Sequence, residues 1–142
     1  MIPRLALILF AVQIATAADW PRWHGPNEDL ISTDTSWEPK EGEIVWSHQV
    51  GTGFSAVSVA GGHAYTMGHV QGQEIVWCLS EETGEVVWKG EYPAPLLPNL
   101  HEGGPASTPT VIGERVYTVS KHGLVIAWEA KTGQKLWEVD LK

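Results

Sequence analysis

The sequence predicts an all-β protein made of four-stranded antiparallel sheets stacked as blades, the architecture of a β-propeller. Three observations predict it. The chain writes a glycine turn followed by tryptophan three times: "KEGEIVW" (40–46), "ETGEVVW" (82–88) and "KTGQKLW" (131–137). The segments before the second and third copies align with each other. Between the turns lie short runs of β-branched and aromatic residues, which suit a pleated surface, and no stretch carries a helical period.

Internal repetition sets the elements. Residues 76–88 align without gaps on residues 125–137, an offset of 49, and residues 55–66 align on 107–118, an offset of 52. One longer loop, 68–73 against 120–122, absorbs the difference. Among the positions identical in both copies, the informative ones are Tyr65 and Tyr117, Thr83 and Thr132, Gly84 and Gly133, and Trp88 and Trp137. Each unit reads as four strands. Strand one is "SAVSVA" or "STPTVI", and a turn follows at Gly61-Gly62 or Gly113-Glu114. Strand two is "HAYTMG" or "RVYTVS", and strand three is "EIVWCLS" or "LVIAWEA". The Thr-Gly turn then leads to strand four, "EVVWKGEY" or "QKLWEVDL". Gly84 and Gly133 supply the positive φ that a tight hairpin requires, and Thr83 and Thr132 accept a local backbone hydrogen bond.

A lone four-stranded sheet cannot bury both faces, and stacking copies about an axis does so. Tryptophan at one fixed place on each outer strand, Trp46, Trp88 and Trp137, is expected to pack on the neighbouring blade and set the spacing. The first copy differs from the others. Residues 43–50 read as an outer strand without the three strands that should precede it. The expected organisation is therefore an N-terminal leader (1–17), an N-terminal extension (18–42) and a partial propeller (43–142). The partial propeller comprises an orphan strand (43–50) and two blades (55–92 and 107–141). A ring of 4–8 blades at ~45 residues each needs roughly 180 to 360 residues. The chain of 142 residues thus reads as an incomplete, N-terminal part of a propeller. A complete chain of this length would have to oligomerise or expose sheet edges.

The first residues read as a secretory signal. Arg4 supplies the positive charge, residues 5–15 are apolar, and Ala15-Thr16-Ala17 is a small-residue cleavage site. The apolar run is short of the ~20 residues of a spanning helix. A periplasmic or secreted protein, with no membrane span after cleavage, is the expectation. The net charge of −8 gives no basic face for phosphates, which excludes nucleic acid as a partner class. Cys78 is the only cysteine, so no internal disulfide forms. Its apolar run "EIVWCLS" reads as a buried strand.

The Thr-Gly-x-x-x-Trp run, following "CLSEE" or "AWEAK", resembles the repeat of the pyrroloquinoline-quinone-like (PQQ-like) β-propellers. The leading "DWPRWHGPN" (19–27) also resembles the start of exported bacterial members. The resemblance spans residues 43–142. It implies two kinds of function. One is a non-catalytic scaffold or protein-binding module, similar to the outer-membrane assembly factor propellers, which bind partner proteins by loops and edges. The other is a PQQ-dependent alcohol or sugar dehydrogenase, whose PQQ and calcium would be held by other blades. The sequence departs from that second kind in lacking adjacent cysteines. The acidic position of the repeat is Ser80 in one copy and Glu129 in the other.

No cofactor is evident from the residues themselves, and no catalytic set stands out. The histidines His24, His48, His63, His69 and His122 show no metal-ligand spacing. "GTGFSA" (51–56) lacks the third glycine of a dinucleotide loop. The segment from 93 to 107, "PAPLLPNLHEGGPAS", is the candidate functional loop. It links two blades and is longer than the link after Val50. His101 and Glu102 are its candidate residues, placed to face a central channel. The competing reading is a solvated surface loop. The leading expectation is a scaffold that binds a protein partner through its loops. Enzymatic activity is left open, with the quinoprotein dehydrogenase as the alternative.

Overall fold

The computed structural model describes residues 18–34, 42, 44–99 and 101–142. The expected leader, residues 1–17, and residue 43 of the expected orphan strand lie outside the described residues. So does 35–41 of the extension.

Eight strands follow in chain order: β1 (Ser58–Ala60), β2 (His63–Val70), β3 (Gln73–Ser80), β4 (Val86–Pro93), β5 (Thr110–Ile112), β6 (Arg115–Val119), β7 (Leu124–Glu129) and β8 (Lys135–Asp140). They form two four-stranded sheets of order β1-β2-β3-β4 and β5-β6-β7-β8, every pair antiparallel. These are two blades of one design. Both carry a bulge at the same repeat position, between Cys78 and Leu79 and between Ala127 and Trp128. Strand one is shorter than the sequence suggests in both blades, because side-chain hydroxyls take over the hydrogen bonding before it. Ser55 Oγ accepts from Met67 N at 3.2 Å, and Ser107 Oγ donates to the Val119 carbonyl.

The Thr-Gly turns are built alike. Gly84 and Gly133 both have φ of 71°. Their amides donate to the carbonyls of Ser80 and Glu129, each at 2.9 Å. Thr83 Oγ1 accepts from Glu85 N at 3.3 Å, and Thr132 Oγ1 accepts from Gln134 N at 3.2 Å. Ser80 and Glu129 also serve one purpose with different groups. Ser80 Oγ accepts from Thr83 N, and the Glu129 carboxylate accepts from the Thr132 hydroxyl.

The core lies between the blades. Tyr65, Met67, Val76, Cys78 and Trp88 line one face of the first sheet and are nearly or fully buried against Val111, Val116, Ile126 and Trp128 of the second. Trp88 and Trp128 stack at 6.4 Å between centroids. Trp128 fits because Gly90 faces it: a Cβ at Gly90 would lie 2.5 Å from the indole ring. Trp128 Nε1 donates to Thr118 Oγ1 at 2.9 Å, so its polar atom is paired inside the core.

Residues 44–50 belong to no ladder. A strand needs a neighbour whose backbone groups are free, and no inner strands stand beside this segment among the described residues. It still follows the opposite face of the first sheet. The Trp46 indole donates to the Glu81 carbonyl at 2.8 Å, and the Trp77 indole donates to the Val50 carbonyl at 3.1 Å.

The N-terminal extension straps the two inner strands. Trp20 and Val59 exchange both backbone hydrogen bonds, at 2.8 and 2.9 Å, and Val111 N donates to the Pro21 carbonyl at 2.8 Å. This occupies ladder groups that the innermost strands otherwise leave unpaired.

Candidate functional site

The blade-to-blade loop after β4 is held at both flanks. Ala94 N donates to the Gly72 carbonyl at 3.0 Å, which extends the β4 edge by one residue. His69, on β2, places Nε2 at 2.9 Å from the Ala94 carbonyl, and His122 places Nε2 at 2.8 Å from the Pro95 carbonyl. A carbonyl only accepts, so both rings carry the proton on Nε2 in these bonds. Further along, Leu97 N donates to the Gly103 carbonyl at 3.1 Å, and Phe54 N donates to the Pro105 carbonyl at 2.7 Å. Gly104 lets the loop lie against the chain at Thr52, where a Cβ would sit 2.3 Å from a carbonyl oxygen. Two histidines from different blades thus grip one loop.

The structure separates the two candidate residues of this loop. His101 is half-buried and packs tilted against Phe54, with ring centroids 4.5 Å apart. Its Nδ1 lies 3.1 Å from Gly103 N, and its Nε2 lies 3.2 Å from Lys121 Nζ. A neutral imidazole accepts at one nitrogen, so the ring engages one of these donors at a time. Glu102 is exposed. What the loop shows to solvent is mainly apolar: Leu96 and Leu97 are 40% and 42% exposed, beside Phe54 at 53%.

Beneath the loop lies a pair that sequence reasoning missed. Glu74 is 2% exposed. Its Oε2 accepts from Tyr92 OH at 2.8 Å, and its Oε1 lies 3.5 Å from Lys121 N. Burial, with Glu74 beside it, raises the Tyr92 hydroxyl well above the usual tyrosine range. The register makes the grouping: His69 faces Glu74 across β2 and β3, and Glu74 faces Tyr92 across β3 and β4. The signal in the sequence is a carboxylate at the start of an otherwise apolar strand run, Glu74 in "EIVWCLS".

The nucleophile inventory is short. Cys78 is fully buried, and burial pushes its thiol up to about 11, against a partial lowering from the Tyr65 hydrogen bond. Among the described residues, no three His, Cys, Asp or Glu groups stand close enough to hold a metal ion. At the opposite end of the blades a cleft of about 600 Å³ opens between the sheets, walled by Asp19 and Arg22 of the strap, by His63 and Tyr65, and by Glu114 and Lys131. No helix among the described residues is long and apolar enough to cross a membrane.

The repeat tryptophans fall into two groups. Trp88 is 7% exposed, and its indole donates to the Ala130 carbonyl at 2.7 Å. Trp46 makes the equivalent bond to Glu81. Each ring lies over the glycine of the turn it meets: a Cβ at Gly84 would be 2.5 Å from Trp46, and one at Gly133 would be 2.6 Å from Trp88. No further blade stands beside Trp137 among the described residues. It is 43% exposed, and no turn covers it among the described residues.

Among known proteins, the family described as outer membrane protein assembly factor BamB matches residues 34–142. No curated protein matches the chain. Two solved structures are similar in fold. A europium-containing methanol dehydrogenase aligns at 17% identity with a TM-score of 0.54, over 69% of this chain and 18% of its own. BamB from Moraxella catarrhalis aligns at 17% identity with a TM-score of 0.44, over 65% of this chain and 23% of its own. The chain therefore spans only about a fifth of the length of these structures. The family match covers the two blades, the docked tryptophans and the Thr-Gly turns, and the chain belongs to the outer membrane protein assembly factor BamB family of PQQ-like repeat β-propellers.

Proposed function

We propose that the chain is part of an exported, non-catalytic propeller that binds a protein partner in the periplasm, in the service of outer-membrane protein assembly. One observation carries the reading. The loop from 94 to 107 is pinned by His69 and His122 and displays Leu96 and Leu97 to solvent beside Phe54. A pinned loop spends little ordering entropy on binding. Exposed leucines beside an aromatic ring are the chemistry of a protein-binding patch. The family description supports assembly work, and the leader-like residues 1–17 support export. The burial of the Cys78 thiol supports a non-catalytic role.

The test has two arms in the source cell. Replacing Leu96 and Leu97 together by Glu should lower the amount of folded outer-membrane barrel protein as far as deleting the gene does, with the variant still accumulating at normal level. Normal barrel levels in both strains sink the assembly role. Quinone-dependent, substrate-stimulated dye reduction by the purified protein sinks the non-catalytic reading.

A further inference from the structure

The cleft at the turn end of the blades lies between two sheets that are both described. Ala60, His63 and Tyr65 of the first blade form one wall, Val111 and Ala130 of the second form the other, and Pro21 and Arg22 of the strap complete it. These parts are fixed by the fold. Trp20 pairs with Val59, Val111 N donates to the Pro21 carbonyl, and Asp19 Oδ1 accepts from Gly61 N at 3.2 Å. The volume of about 600 Å³ lies within the ~300–1,000 Å³ of small-molecule sites.

One atom of the wall is unsatisfied. Arg22 Nη1 is paired with Glu28 Oε1 at 2.6 Å. Arg22 Nε is buried and has no hydrogen-bond partner, alone in this among the buried side-chain nitrogen and oxygen atoms of the described residues. A buried donor without a partner is unfavourable, and it points to a group that the fold itself does not supply. Nε and Nη2 lie along one edge of the guanidinium, at the spacing of two carboxylate oxygens. The Arg22 side chain is 32% exposed, so this edge turns to a ligand without unpacking the wall.

The other charges narrow the choice. Asp19 is engaged by Gly61 N, and Glu129 by the Thr132 hydroxyl. Lys131 and Glu114 form no ion pair among the described residues. Lys131 adds a second cation for an anionic head group. Glu114, in a chain of net charge −8, disfavours a head with more than one negative charge. Pro21, Ala60, Val111 and Ala130 offer an apolar body nothing to hydrogen-bond and much to pack on.

We propose that this cleft binds a monocarboxylate with an apolar body, its carboxylate on the Nε edge of Arg22 and its body between Ala60, Val111 and Ala130. A free organic acid and the C-terminal end of a peptide present the same chemistry.

Calorimetric titration of the full-length protein tests this. The probes are phenylbutyrate, its neutral counterpart phenylbutanol, and a short peptide ending in phenylalanine, as free acid and as amide. At least one acid should bind saturably, with its neutral counterpart about tenfold weaker for want of the charge-assisted bonds. Binding of phenylbutyrate alone assigns a free acid, and binding of the peptide acid alone assigns a chain end. R22Q should lose about the same factor. E28Q breaks the same ion pair away from the cleft wall and should bind at least as tightly as wild type. Binding of neither acid overturns the inference. So does a neutral counterpart that binds as well as its acid, or R22Q with wild-type circular dichroism and wild-type affinity. E28Q as weak as R22Q also overturns it, since the loss then follows from loosening the strap. Should R22Q fail to fold, the acid and its neutral counterpart on the wild-type protein decide alone.

Discussion

Trp88 Nε1 donates to the Ala130 carbonyl at 2.7 Å, across the gap between two sheets, and its ring covers Gly133. One side chain thus fixes both the distance and the rotation of one blade against the next. The hydrogen bond sets the height, and the absent Cβ of Gly133 sets how closely the ring may approach. The residue pair works only as a pair: a larger residue at 133 or a smaller one at 88 loses the fit.

The first prediction separates two tryptophans that look alike in sequence. Trp88→Ala should destabilise the chain by roughly 3–5 kcal/mol, because a buried indole and its hydrogen bond are lost. Trp137→Ala should cost under about 1 kcal/mol, as an exposed position does. Denaturant unfolding of the two variants, measured at low concentration, checks the difference.

The second prediction concerns two glycines with the same backbone sign. Gly133 has φ of 71° and the Trp88 ring at 2.6 Å from where a Cβ would sit. Gly113 has φ of 56° and open space around it. Gly113→Ala should cost only the left-handed penalty of about 1–2 kcal/mol. Gly133→Ala should cost clearly more and should shift the tryptophan fluorescence, since Trp88 must move. Equal losses would mean that the ring contact contributes nothing.

Tyr92 and Glu74 should behave as a coupled pair. Tyr92→Phe leaves a buried carboxylate without its hydroxyl donor and should cost about 1–3 kcal/mol. Adding Glu74→Met removes the group that was left unpaired and should recover part of that loss. A double-mutant cycle on unfolding free energies gives the sign.

Alkali gives the fourth prediction. Burial raises the Cys78 thiol from 9.0 to about 11, so its contribution to stability is whole below pH 9 and is lost as pH rises through about 11. The Tyr65 and Tyr92 hydroxyls, also raised by burial, add losses of the same sign that begin near pH 10 and continue to higher pH. Stability should fall steeply in alkali, and Cys78→Ala should flatten the slope between pH 9 and 11. An unchanged slope would show that the thiol does not ionise on unfolding.

Much of the fold was legible because its repeating contacts are local. The Thr-Gly turns at 83–84 and 132–133 declare themselves by residue type, and the strands between them by composition. The length of strand one was not legible, since it depends on the hydroxyls of Ser55 and Ser107, which reach partners twelve residues away in sequence. The loop from 93 to 107 was recognised by length alone. Its two clamps, His69 and His122, come from separate blades and carry no mark in their own segments. Glu74 was passed over because its meaning depends on register: only pairing places it against Tyr92 and under the loop. Trp137 is expected to match Trp88, and the residues are alike; no further blade stands beside Trp137 among the described residues.

The strap at Trp20 and Pro21 has a consequence for the order of events. These residues are made early, yet their partners are Val59 and Val111, the second of them deep in the second blade. The earliest stretch of the described chain is thus among the last to find its place. Contacts so distant in sequence form slowly. Until they form, the ladder groups at Val59 and Val111 stay open. A newly made chain passes through an interval in which its inner strands can be reached by chaperones or by neighbouring chains, and the docking of its own beginning ends that interval.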